Sequence, residues 1–148
     1  ALRLVGSEMC IRDRYKGLPN TTYIDAAVAT FDGECYFTKD LRIIRMSNSM
    51  SRTQQGNDLG IKCVDLVKWL HHHVKPEDLV VMKMDVEKAE FELLPALLKS
   101  PKTARLIDEL MLECHHAETW DLPPATYGDC LEMFRSLQAA GIWTHEWF

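Results

Sequence analysis

Several features that would narrow the function of this chain at once are missing from it. No apolar run approaches the roughly 18 residues that a membrane-spanning helix needs, so no membrane segment is expected. Acidic residues outnumber basic ones 22 to 17, for a net charge of −5, which excludes the basic stripe of a nucleic-acid module. The five cysteines (Cys10, Cys35, Cys63, Cys114, Cys130) are far apart and form no CxxC pair, which argues against a zinc ribbon or a dense disulfide framework. Reduced, partly buried thiols are the expectation. They decide nothing about compartment, which stays unknown with a cytoplasmic default. There is no internal repeat and no low-complexity tract. What the 148 residues do have is a 47% hydrophobic fraction, enough to give one α/β-sized domain a core.

The first 14 residues stand apart. "LVGSEMCIRDR" resembles the translation of a sequencing adapter, so residues 1–14 are read as non-native and left out of fold reasoning. Setting them aside removes three basic and two acidic residues, leaving 14 against 20. An adapter joined directly to coding sequence implies that residues 15–148 are part of a longer domain.

From Tyr15 onward, pattern and punctuation give an order of elements. "TYIDAAVA", Thr22 to Ala29, is β-branched and aromatic and reads as one strand. Short strands follow on either side of Asp32-Gly33, a hairpin dipeptide, and of Lys39-Asp40. Residues 48–60 read as a loop, and "IKCVDLVKWLHHHV" begins extended and turns helical before Pro76. "DLVVMKMDV" is a strand of the parallel type, buried on both faces apart from Lys83. A helix over residues 87–100 carries Phe91, Leu94 and Leu98 on one stripe with Leu93 and Leu97 beside it, and Pro95 should kink it. "ARLIDELMLECH", "TYGDCLEMFRSLQAAG" and "IWTHEWF" add a strand, a helix closed by Gly141, and a strand. This alternation is the mark of parallel α/β architecture.

Open α/β sheets bind ligands beyond the carboxyl ends of their strands. Asp85 and Glu87 stand at one such end, and Glu113 and His115 at the next. Side chains two apart share a strand face, which pairs Lys83 with Asp85 and Glu113 with His115. A rim of proton acceptors of this kind suits a polar ligand or a hydroxyl to be deprotonated.

These residues carry a resemblance. "VVMKMDVEKAEFELLPALL" followed by "IDELMLECH" resembles the core signature of the FkbM-type methyltransferases, in which a hydrophobic strand ends in Lys-x-Asp-x-Glu-Gly-x-Glu and a later strand in Glu-x-His. The resemblance covers most of residues 20–148. It implies a Rossmann-like class I methyltransferase fold, here without its first two strands, and S-adenosylmethionine as cofactor. It also implies O-methyl transfer to a small-molecule or carbohydrate acceptor in the intact protein, with this piece inactive and a weak binder of the cofactor. Asp85 or His115 is then the base, Glu87 and Glu113 orient it, and Asp25, Ala27, Val28 and Asp85 meet the cofactor. Lys88 departs from the signature, which has glycine there.

Each group also has a plainer reading. Asp85 and Glu87 can cap the helix that follows. Lys83 is a partner for a carboxylate, since a charge within a strand needs pairing. His116 is structural. His71 to His73 cannot converge on one ion, because consecutive helical residues splay apart, so they form a solvated helix end. Trp120, Trp143 and Trp147 either line an acceptor pocket or pack. Oxygen-rich donors suit Mg or Mn, but no metal site is assigned to four scattered candidates. The rival function is a non-catalytic α/β binding module, with Lys88 as the trace of a lost site.

Overall fold

The structure is a computed structural model and describes residues 2–4, 18–37, 50–51, 59–86, 88–116 and 125–147. In chain order the elements are β1 (Leu2–Leu4), β2 (Thr22–Ile24), β3 (Ala27–Ala29), β4 (Gly33–Phe37), β5 (Met50–Ser51), β6 (Leu59–Asp65), α1 (Leu66–His73), β7 (Val81–Met84), α2 (Glu90–Leu98), α3 (Pro101–Ala104), β8 (Glu109–Leu112), α4 (Tyr127–Ala139) and β9 (Trp143–Glu146). The architecture is mixed α/β, as the alternating pattern predicts. The chain divides into two compact units, Ala1–Leu66 and Val67–Phe148. Among the described residues, no helix is long and apolar enough to cross a membrane.

In the first unit, β1 and β2 form a parallel pair, and a second sheet has the order β3-β6-β4-β5. The strand expected over Thr22 to Ala29 is two strands in different sheets. A hydrogen bond from the Ala26 N–H to the Ile24 carbonyl, 3.0 Å, turns the backbone between them. Nor does Asp32-Gly33 make a hairpin. Strand β6 lies between β3 and β4, parallel to the first and antiparallel to the second. Asp32 serves the turn differently, its Oδ1 accepting the Asp65 N–H at 3.0 Å, while Gly33 adopts φ 145°, which only glycine takes easily. Ala27, Ala29, Cys35 and Cys63 form the core here, with Phe31 and Ile61 against it. Cys35 and Cys63 are disulfide-bonded, as are Cys114 and Cys130 in the second unit. The expectation of reduced thiols is thereby corrected. Spacings of 28 and 16 residues match no motif, and only the fold brings the pairs to Cα separations of 5.7 and 6.1 Å.

The second unit is built on the parallel sheet β7-β8-β9. Met84, Leu110, Leu112 and Thr144 are buried on the face that receives the helices. The alternate positions of the edge strands are not covered: Val81 is 48% exposed and Trp143 is 65% exposed. The strand at Val81–Met84 is therefore half-buried with period two, not buried on both faces as its apolar run suggested. Residues Glu90, Leu93, Leu94 and Leu97 form the buried stripe of α2, at spacings of three and four. That stripe replaces the one drawn through Phe91, Leu94 and Leu98. Pro95 lies inside α2 and, having no N–H, removes the bond that would reach the Phe91 carbonyl. Helix α4 starts with a capping box. The Thr126 Oγ1 accepts the Asp129 N–H at 3.2 Å, and the Asp129 carboxylate accepts the Thr126 N–H at 2.6 Å. Its end is closed by Gly141 at φ 91°. Burial of Leu137 and Ile142 seats α4 and β9, at about 1.5–3 kcal/mol for each such side chain.

Candidate active site

Where β7 ends and the chain turns toward α2, the Ala89 N–H closes a four-residue turn onto the Val86 carbonyl at 3.1 Å. Lys88 occupies its third position with φ 77°, in the left-handed region that favours glycine. This explains in backbone terms why a glycine is at home in such a strand-to-helix turn. Among the described residues, the N-cap of α2, Ala89, makes no side-chain cap hydrogen bond. Glu87 lies outside the described residues.

The turn places Asp85 beside the end of β8. There the Glu113 N–H donates to the Met84 carbonyl at 2.9 Å, extending the ladder by one bond and aligning the two strand ends. His115 is the centre of the cluster. Its Nε2 lies 3.7 Å from Asp85 Oδ1 and 3.7 Å from Glu113 Oε1. On its other side, Glu90 Oε1 accepts both the His115 backbone N–H, at 2.7 Å, and the ring Nδ1–H, at 3.1 Å. With Nδ1 held against Glu90, the ring turns Nε2 toward the two carboxylates. Glu90 is fully buried, and its second oxygen, Oε2, has no hydrogen-bond partner among the described residues. One oxygen each from Asp85 and Glu113 and one nitrogen of His115 lie within 4.8 Å of one another.

Around this cluster, Lys83 Nζ lies 3.5 Å from Asp85 Oδ2 and 5.0 Å from the centre of the Trp147 ring, the carboxylate partner expected of a strand lysine. Cys114, between Glu113 and His115, is bonded to Cys130 of α4. His116 turns away and stacks obliquely on Tyr127 at 5.2 Å. The histidines at the end of α1 do not converge: His71 Nε2 meets Thr103 Oγ1 at 2.8 Å, while His73 stacks on Trp69 at 4.4 Å. Trp143 and Trp147 are exposed, and Trp120 lies outside the described residues.

Asp85, Glu113 and His115 thus come together at the ends of β7 and β8. Asp25, Ala27 and Val28 belong to the first unit, where Ala27 and Val28 are buried and Asp25 is exposed. Glu90 was not among the catalytic or binding residues expected from the sequence. The signal was present: Glu90 is three, four and seven residues before Leu93, Leu94 and Leu97, which makes it the first member of the core stripe.

A family profile described as a domain of unknown function, DUF7870, matches residues 13–148, and the chain belongs to that family. No curated protein and no solved structure matches the chain. The resemblance to the FkbM-type methyltransferases is corrected by this match, which is to a different family. The motif misleads for a physical reason. A hydrophobic strand running into acids at a helix start satisfies sheet burial and helix dipole alike, so it recurs wherever a parallel strand feeds a helix.

Proposed function

We propose that this member of the DUF7870 family is a group-transfer enzyme acting on a hydroxyl. The reading favoured is S-adenosylmethionine-dependent O-methyl transfer to a small-molecule or carbohydrate acceptor on a Rossmann-like sheet. One observation carries the proposal: an imidazole fixed by a buried carboxylate and turned toward two more carboxylates, at the carboxyl ends of adjacent parallel strands. That is where α/β sheets bind ligands. The cofactor would supply an electrophilic methyl group on a sulfonium. Asp85 accepts the hydroxyl proton, Glu113 and His115 hold the hydroxyl in line, and Glu90 fixes the His115 ring. Direct transfer suits such a site, since positioning and one proton acceptor provide most of the rate. Asp25, Ala27 and Val28, expected to meet the cofactor, lie in the first unit.

The test is methyl transfer from labelled S-adenosylmethionine to a panel of hydroxyl acceptors by the intact protein. Asp85→Asn should lower turnover by about 10²-fold or more, as loss of a general base does. Glu92→Gln, at an exposed position of α2, should leave it within a factor of a few. Melting temperatures measured alongside separate lost chemistry from lost folding. Equal turnover in wild type and Asp85→Asn refutes the assignment. Lys88 supports the second reading, a non-catalytic binding module, because it replaces the glycine that its φ favours. Acceptor binding without any transfer would decide for that module.

A further inference from the structure

We infer that Asp85, Glu113 and His115 form a binding site for one divalent cation of the Mn²⁺ or Mg²⁺ type, with Glu90 as the carboxylate behind the histidine ligand. The inference stands on the cluster itself and does not depend on methyl transfer.

Three donors within 4.8 Å of one another match the spacing of ligands around a single ion. At metal–ligand bonds of about 2.0–2.2 Å, adjacent donors lie roughly 3 Å apart and opposite donors roughly 4.2 Å apart. The two separations of 3.7 Å from His115 Nε2 fall between these values and are too long for hydrogen bonds.

Glu90 supplies an independent observation. A fully buried carboxylate with one oxygen unpartnered among the described residues is costly unless positive charge lies near it. Its other oxygen grips the Nδ1–H of the same imidazole whose Nε2 faces Asp85 and Glu113. Metal-bound histidines are held in this way, the carboxylate fixing tautomer and ring orientation and raising the basicity of the ligating nitrogen. The charges point the same way. Among the described residues, Asp85, Glu90 and Glu113 bring three carboxylates to the cluster, and the Lys83 ammonium lies 3.5 Å from Asp85. Two carboxylates and one imidazole are a mixed donor set that suits Mn²⁺ better than a thiolate-seeking ion. Asp85 and Glu113 are 40% and 36% exposed, so the outer side of the ion would be open to water or to a substrate hydroxyl. A hydroxyl bound there would lose its proton more readily.

The experiment uses the chelator-treated full chain, without any methyl donor. MnCl₂ is titrated in, and free Mn²⁺ is read from its paramagnetic resonance signal. One saturable site is expected. Asp85→Asn and Glu113→Gln should each weaken it at least about 10-fold, and Glu90→Gln by about 10- to 100-fold, as loss of an outer-shell carboxylate does. Glu92→Gln should not change it. Mn²⁺ should also raise the melting temperature of wild type but not of Asp85→Asn, with the metal-free melts showing that both proteins fold. Absence of saturable binding, or binding that all the variants share, overturns the inference. So would a His115 ring whose NMR signals are unaffected by substoichiometric Mn²⁺.

Discussion

Lys88→Gly perturbs a single backbone angle. Lys88 sits at φ 77° in the turn closed by the Ala89 N–H on the Val86 carbonyl. A left-handed conformation costs a residue with a Cβ roughly 1–2 kcal/mol, and glycine nothing. Against that gain, glycine adds freedom to the unfolded chain, worth about 0.4–1 kcal/mol. The difference is a net stabilisation of about 0.5–1 kcal/mol. For a unit the size of Val67–Phe148 this should raise the melting temperature by about 2–8 °C. Lys88→Ala is the control, since it loses whatever the lysine side chain contributes yet keeps the strained angle, and it should not raise the melt. Thermal unfolding followed by circular dichroism measures both. If Lys88→Gly melts no higher than Lys88→Ala, the turn does not hold this residue in the left-handed region and the argument fails.

Further consequences can be checked in the same preparations. Cys114 and Cys130 close a loop of 16 residues, so Cys114→Ser with Cys130→Ser should lower the unfolding free energy by about 3 kcal/mol in urea titrations. A wild-type urea midpoint that does not move on adding reductant would contradict this. Leu97→Ala empties a fully buried position of α2 and should cost about 2–5 kcal/mol, whereas Glu92→Ala on the exposed side should cost little. The hydrogen bonds from the Thr126 backbone and hydroxyl hold the Asp129 carboxyl below the usual carboxylate range. Its stabilising effect is therefore present above the unfolded value and lost as pH falls through the folded one. An NMR titration should show Asp129 ionising at lower pH in wild type than in Thr126→Ala, and coincident midpoints would refute the capping box as the cause.

What could be read from the sequence was mostly local. The switch from β6 to α1, the order β7, α2, β8, α4, β9, and the meeting of Asp85 with Glu113 and His115 follow from period, from breakers and from the rule that strand ends carry ligands. Pairings between distant segments were hidden. Nothing in "TYIDAAVA" says that its second half leaves for another sheet beside β6, and nothing in the cysteine spacing says which thiols meet. Lys88 concealed its turn because a residue with a side chain stands where glycine usually signals one. Glu90 was hidden by its charge. A carboxylate at a helix start is ordinarily solvated, and only the spacing to Leu93, Leu94 and Leu97 betrays that this one is turned inward.

That inward turn makes α2 a lever. Because Glu90 shares one face with the leucines that seat the helix, the position of the imidazole it grips depends on how those leucines pack. A slip of α2 by a single residue along its axis would carry the Glu90 carboxylate about 1.5 Å, half the length of the bonds it makes. Stiffness in the hydrocarbon interior is thereby transmitted to a polar rim several side chains away. A substitution such as Leu94→Ala, one turn along the same stripe from Glu90, should behave in binding assays like damage to the rim itself.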